Sequence, residues 1–142
     1  MIIKMIENLF KEKILVLDGA MGTMVQSYKL EESDFRNKRF SAHDKDLKGN
    51  NDLLCLTQPE IVGEIHKSYL EAGADIVETN TFNSNAISQM DYGTQDLIYE
   101  INYEAAKIAK SVAQIFTDFP RFVAGAIAVS YTHLTLPTIL LV

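Results

Sequence analysis

The stretch TQPEIVGEIHKSYLEAGADIVETNTFNSN, Thr57 to Asn85, changes its period in the middle. Ile61, Val62, Ile65, Tyr69 and Leu70 fall on one face of a helix. Thr57 reads as its N-cap, Pro59 sits near the first helical position, and Glu60 follows the cap by three residues. Gly73 ends the helix as a C-terminal glycine does. Ala74 to Val77 is then a short apolar run with the look of a buried strand, and it leads directly into Glu78, Thr79, Asn80, Thr81 and Phe82.

The same unit recurs on both sides. Upstream, Ile14 to Leu17 is an almost wholly apolar run ending at Asp18-Gly19, the pattern of a parallel strand buried on both faces. Residues 3–12 read as a short amphipathic helix before it, and Met21 to Tyr28 as a turn or two of helix after it. Glu31 to Asn51 is polar with little periodicity and reads as a long surface loop, in which the cluster RNKR, Arg36 to Arg39, is solvated. Downstream, Asp96 to Phe116 is helical in pattern, Pro120 breaks it, and Phe122 to Ala126 is a third apolar strand. Strand, helix, strand, helix, strand implies an α/β fold with parallel strands and right-handed crossovers.

Composition narrows the function. The chain has 142 residues, of which 47% are hydrophobic and 23% charged, as expected of one globular domain or part of a larger one. A net charge of -6 gives no electrostatic footprint for nucleic acid. Lys4, Glu7, Lys11, Glu12 and Lys13 interrupt any signal-like apolar core near the start, and no run is long enough to span a membrane. A single cysteine, Cys55, permits no intramolecular disulfide and fits a reducing, cytoplasmic setting.

Ligands of parallel α/β folds sit at the carboxyl ends of strands. Two polar clusters lie there. Asp18 is a turn former or a carboxylate placed for a cationic group, and the spacing leaves both open. Gly19 and Gly22 permit close backbone approach, but Gly-x-x-Gly is no dinucleotide fingerprint. Glu78, Thr79, Asn80 and Thr81 supply four successive hydrogen-bonding residues at the second strand end. Cys55, inside DLLCLT, reads as a small buried hydrophobe, and His66 as a partly exposed helix residue. No Cys or His pair has metal-ligand spacing, and there is no nucleophile elbow, P-loop or H-E-x-x-H.

Three long segments carry a family resemblance: LDGAMGTM (Leu17 to Met24), GNNDLLCLTQPEIVGEIHKSYLEAGADIVETNTFNSN (Gly49 to Asn85) and INYEAAKIAKSVA (Ile101 to Ala113). Together they resemble the homocysteine-binding module of cobalamin-dependent methionine synthases, within the homocysteine S-methyltransferases. The resemblance runs from residue 13 to about 127. It implies a partial (β/α)8 TIM barrel, about the first three β/α units, with residues 1–128 forming the N-terminal part of the homocysteine-binding domain. It implies homocysteine as ligand, held at Asp18, Gly19 and Thr79, with Ala20, Met21, Glu78 and Asn80 as further contacts.

The reaction implied is methyl transfer from methylcobalamin, ultimately from 5-methyltetrahydrofolate, to zinc-bound homocysteine, giving methionine. The zinc cysteines and the folate and cobalamin modules of that family lie downstream, so no catalytic residue, metal ligand or cofactor contact is expected in this chain. Relatives that use betaine or S-methylmethionine, and a non-catalytic binding module, remain alternatives. Val129 to Thr138, VSYTHLTLPT, resembles the translation of a transposase-type sequencing adapter, so residues 129–142 are expected to be a non-native read-through tail. Three strands of a barrel leave an open edge and an unfilled interior, so the chain alone is expected to aggregate or stay partly unfolded and to be inactive.

Overall fold

A computed structural model describes residues 2–127. The expected non-native tail lies outside the described residues. Helix α1 (Ile2–Glu12) leads into an extended segment, Lys13 to Asp18. Then come α2 (Met21–Ser27), α3 (Glu32–Arg36), α4 (Leu54–Thr57) and α5 (Pro59–Glu71). Strand β1 (Ile76–Glu78), α6 (Ala86–Met90), α7 (Ile98–Ala113) and β2 (Phe122–Ala124) complete the described chain.

The expected strand–helix alternation is present, with a smaller sheet than the apolar runs suggest. β1 and β2 pair in parallel, with Val77 opposite Val123. The first extended segment joins β1 through a single parallel bridge, Leu17 to Ile76, and is not a full strand. Its backbone bonds are nevertheless ladder-like: Ile76 N–H donates to the Val16 carbonyl at 3.1 Å, and Asp18 N–H to the Ile76 carbonyl at 2.9 Å. Asp75 ties the start of this sheet together, its carboxylate accepting from Lys13 Nζ at 2.5 Å and from Val16 N–H at 3.0 Å.

Burial of the first segment on both faces is not found. Ile14 is 89% exposed, Val16 52% and Leu17 48%. The cause is coverage: α5 packs on β1 and α7 on β2, so Val77 is fully buried, while no described element covers the far side of the first segment.

The core lies between the helices. α7 presents Ile101, Ala105, Ala109 and Val112 to α5, and the small residues let the two helices approach closely. Gly63 on α5 faces this contact; a Cβ there would lie 3.7 Å from the Val112 side chain. Gly73 follows α5 with φ +106°, the left-handed conformation that a helix-terminating glycine supplies without strain. Pro59 holds the first helical position as expected, but the N-cap is Gln58, not Thr57. Thr57 instead closes α4, donating its hydroxyl to the Leu53 carbonyl at 3.4 Å.

The segment from Glu31 to Asn51 is not the surface loop its composition suggests. A capping box, Glu31 with Asp34, starts α3. Phe35, Phe40 and Leu47 enter the core, and Asn50 is fully buried, exchanging reciprocal side-chain hydrogen bonds with Gln89 at 2.8 and 3.1 Å. Arg36, read as solvated, stitches the loop together by donating to the carbonyls of His43 at 2.6 Å and Lys45 at 2.9 Å. His66 also departs from expectation: it is fully buried, and neither ring nitrogen has a hydrogen-bond partner.

Candidate functional site

The polar residues that follow the extended segment and β1 converge. A cleft of about 450 Å³ is lined by Asp18, Gly19, Ala20, Met21, Glu78, Thr79 and Asn80, with Gly22, Phe82 and Ala126 completing it. The parallel pairing is the reason: it carries both chain segments out of the sheet on the same side.

Asp18 is half-buried at the lip of this cleft. Both of its carboxylate oxygens accept from Glu78 N–H, at 3.1 Å each. Burial pushes its pKa up to about 6, the Glu78 charge adds to the rise, and the Glu78 N–H opposes it. The neighbouring loop is backed by Tyr69 of α5, whose hydroxyl donates to the Ala20 carbonyl at 3.3 Å. Gly19 lies against the same ring; a Cβ there would stand 3.1 Å from Tyr69 Cε1. The N–H groups of Gly19 and Ala20 have no partner among the described residues.

The opposite wall is built differently. Thr79, Asn80 and Thr81 are all buried. Thr81 donates its hydroxyl to the Ala126 carbonyl at 3.0 Å, so in the 2.7 Å Thr79–Thr81 contact the donor is Thr79. Thr79 Oγ1 in turn accepts from Ala126 N–H at 3.1 Å. The Thr79 hydroxyl proton is therefore committed to the protein, and the oxygen retains acceptor capacity only. Asn80 Nδ2 donates to the Asn51 carbonyl at 2.7 Å and lies 3.7 Å from Cys55 Sγ.

Two residues on this wall have no counterpart in the sequence reading: Asn51, whose carbonyl holds Asn80, and Asp52. Asp52 is buried at 2% exposure and accepts from Asn83 N–H at 3.0 Å. Burial raises its pKa to about 6, the Asn83 N–H opposing. The available signal was a carboxylate opening the apolar run DLLCLT. Cys55 conforms to the reading of a small buried hydrophobe, its thiol pushed by burial up to about 12. Among the described residues no three His, Cys, Asp or Glu side chains converge as a ligand set. Among the described residues, too, no helix is long and apolar enough to cross a membrane.

Known proteins agree with this architecture. Among solved structures, the oxidized form of the homocysteine methyltransferase MmuM from Escherichia coli superposes with a TM-score of 0.66 at 19% identity, over 89% of this chain. The metallated form of the same enzyme gives a TM-score of 0.66 at 18% identity over 90% of the chain. At that identity the likeness is one of fold. The chain spans 41% and 42% of the length of those two structures. The family profile described as homocysteine S-methyltransferase matches residues 15–137, most of the sequence. The chain belongs to the homocysteine S-methyltransferase family.

Proposed function

We propose that this chain forms the first three β/α units of a (β/α)8 barrel and carries the amino-acid end of a homocysteine site. The observation behind this reading is the Asp18–Ala20 lip. A carboxylate stands beside two unpaired backbone N–H groups, a charge pattern complementary to an α-ammonium and an α-carboxylate. With a pKa of about 6, Asp18 is largely ionised at neutral pH and pairs with the ammonium. The N–H groups of Gly19 and Ala20 face the ligand carboxylate, and Thr79 Oγ1 offers an acceptor to a second ammonium proton. Glu78, Asn80 and Met21 complete the contact surface.

The reaction we infer is the methionine synthase type, in which methyl passes from methylcobalamin, charged from 5-methyltetrahydrofolate, to the homocysteine sulfur. In that family zinc would hold the homocysteine sulfur as a thiolate, deprotonated at neutral pH yet nucleophilic. The described residues do not fit a zinc site, because no three His, Cys, Asp or Glu side chains converge among them, and no step through zinc or cobalamin is assigned to them. What these residues do is hold and orient the amino-acid end so that the thiol projects away from Asp18.

The test is calorimetric titration of L-homocysteine into the chain and into Asp18→Ala. Loss of the ammonium partner is expected to weaken binding by about tenfold or more, the scale of one charge-assisted hydrogen bond. Unchanged affinity in the variant, or no binding by the parent chain, would overturn the reading.

A further inference from the structure

The short ledge Asn51–Asp52 touches both walls of the cleft. On the first wall, the Asn51 amide faces Gly22; a Cβ on Gly22 would meet its Nδ2 at 3.7 Å. On the second wall, the Asn51 carbonyl accepts from the Asn80 side chain at 2.7 Å, and Asp52 Oδ1 accepts from Asn83 N–H at 3.0 Å. Cys55, one helical turn further on, has its Sγ 3.7 Å from the Asn80 carbonyl. The strand-end segment Thr79 to Asn83 is thus fastened at two points to a ledge that is contiguous with the other wall.

A buried carboxylate is an expensive way to hold one amide, since ionised groups resist leaving water. A neutral acceptor of similar shape would cost less, and the carboxylate makes a stronger, charge-assisted bond. We propose that Asp52 is a positioning residue: it fixes the Asn83 amide and so the second wall, and with Asn51 it sets the width of the cleft across which the amino acid is gripped. The ligand part of this inference rests on the homocysteine reading above. The wall-fixing part rests on geometry alone, so the two can fail separately.

The experiment compares the parent chain with Asp52→Ala, Asp52→Asn and a control, Val62→Ala, which thins the core without touching the cleft. Amide exchange is read without ligand. In Asp52→Ala the Asn83 amide is expected to exchange about tenfold faster while the Ile76 amide, in the sheet, does not change; Asp52→Asn, which keeps an acceptor oxygen without the charge, recovers part of that protection. Equal acceleration at Ile76, or none at Asn83, overturns the wall-fixing role. Titration with L-homocysteine is expected to show about tenfold weaker binding in Asp52→Ala, recovery to within about threefold in Asp52→Asn, and parent-like affinity in Val62→Ala. A matching loss in Val62→Ala would mean that Asp52 acts through general stability, and would overturn its positioning role for the ligand. Failure of the parent chain to bind homocysteine would overturn both the homocysteine reading and the ligand part of this inference, while the exchange result still decides whether Asp52 fixes the wall.

Discussion

His66 should cost the fold stability in acid, and replacing it with leucine should remove that cost. The imidazole is fully buried on α5 with both nitrogens unpartnered, and burial lowers its pKa from 6.5 to about 4. Between these values the unfolded chain binds the proton that the folded chain refuses. The neutral-histidine contribution is therefore fully present above about pH 6.5 and is lost as pH falls through about 4. Integrated to about pH 4.5, a shift of this size costs the folded state about 2.5 kcal/mol. Leucine has similar bulk and nothing to protonate. At neutral pH it should also gain about 1 kcal/mol by removing an unpaired buried polar group.

The parent curve alone would hide this effect. Asp52 titrates in the opposite sense: its folded value is raised from 3.8 to about 6, so its contribution is fully present below about 3.8 and is lost as pH rises through about 6. Asp18 acts in the same direction, attenuated by its contact with solvent. These opposing slopes overlap, so the parent curve alone does not isolate the histidine. The difference between His66→Leu and the parent isolates the histidine. Urea unfolding followed by circular dichroism at about pH 7.5 and about pH 4.5 gives that difference, which should widen by about 2.5 kcal/mol in acid. A difference that stays constant to within about 0.5 kcal/mol would refute a buried neutral histidine.

Gly19→Ala should lower the melting temperature by about 4 °C, the scale of about 1 kcal/mol of overpacking, because the new methyl meets Tyr69 Cε1 at 3.1 Å; an unchanged melt would mean that the ring yields freely. Cys55 should resist a thiol reagent in the folded chain and react on addition of denaturant, since its thiol is buried and pushed up to about 12; rapid labelling under native conditions would contradict that placement. Val16→Lys should reduce concentration-dependent association, measured by light scattering, because a charge on the exposed first segment blocks edge-to-edge pairing; unchanged scattering would place the sticky surface elsewhere.

Legibility followed periodicity. α5 and α7 were readable because their apolar residues recur at helical spacing over several turns, and the short strands because an apolar run ends abruptly in polar residues. His66 was readable in principle: it stands four residues after Val62 and four before Leu70, both buried, so register placed it inward where residue type argued for the surface. The segment from Glu31 to Asn51 was not readable. Phe35, Phe40 and Leu47 are spaced five and seven apart, a pattern that fits neither period, and their burial comes from contacts made only once the helices assemble. The cleft was half-legible for the same reason. Strand-end placement located Asp18, Gly19, Glu78, Thr79 and Asn80, whereas Asn51 and Asp52 hold the second wall from behind, from a short 3-10 turn that belongs to no strand end.

The family resemblance put both Asp18 and Thr79 among the expected ligand contacts, and the hydrogen-bond network separates them. Thr79 has its proton directed to Thr81 and one lone pair occupied by the Ala126 N–H, so it braces β1 against the segment following β2. Asn80 is likewise turned into the wall by Asn51 and Cys55. Asp18 accepts from a single N–H shared between its two oxygens, and each oxygen keeps further acceptor capacity toward the cleft. Such a carboxylate, already partly desolvated, is poised to gain most from an arriving cation, whose charge relieves the cost that burial imposes. The division is physical: one wall is rigid because its polar groups are paired with each other, and the opposite lip is receptive because its groups are not.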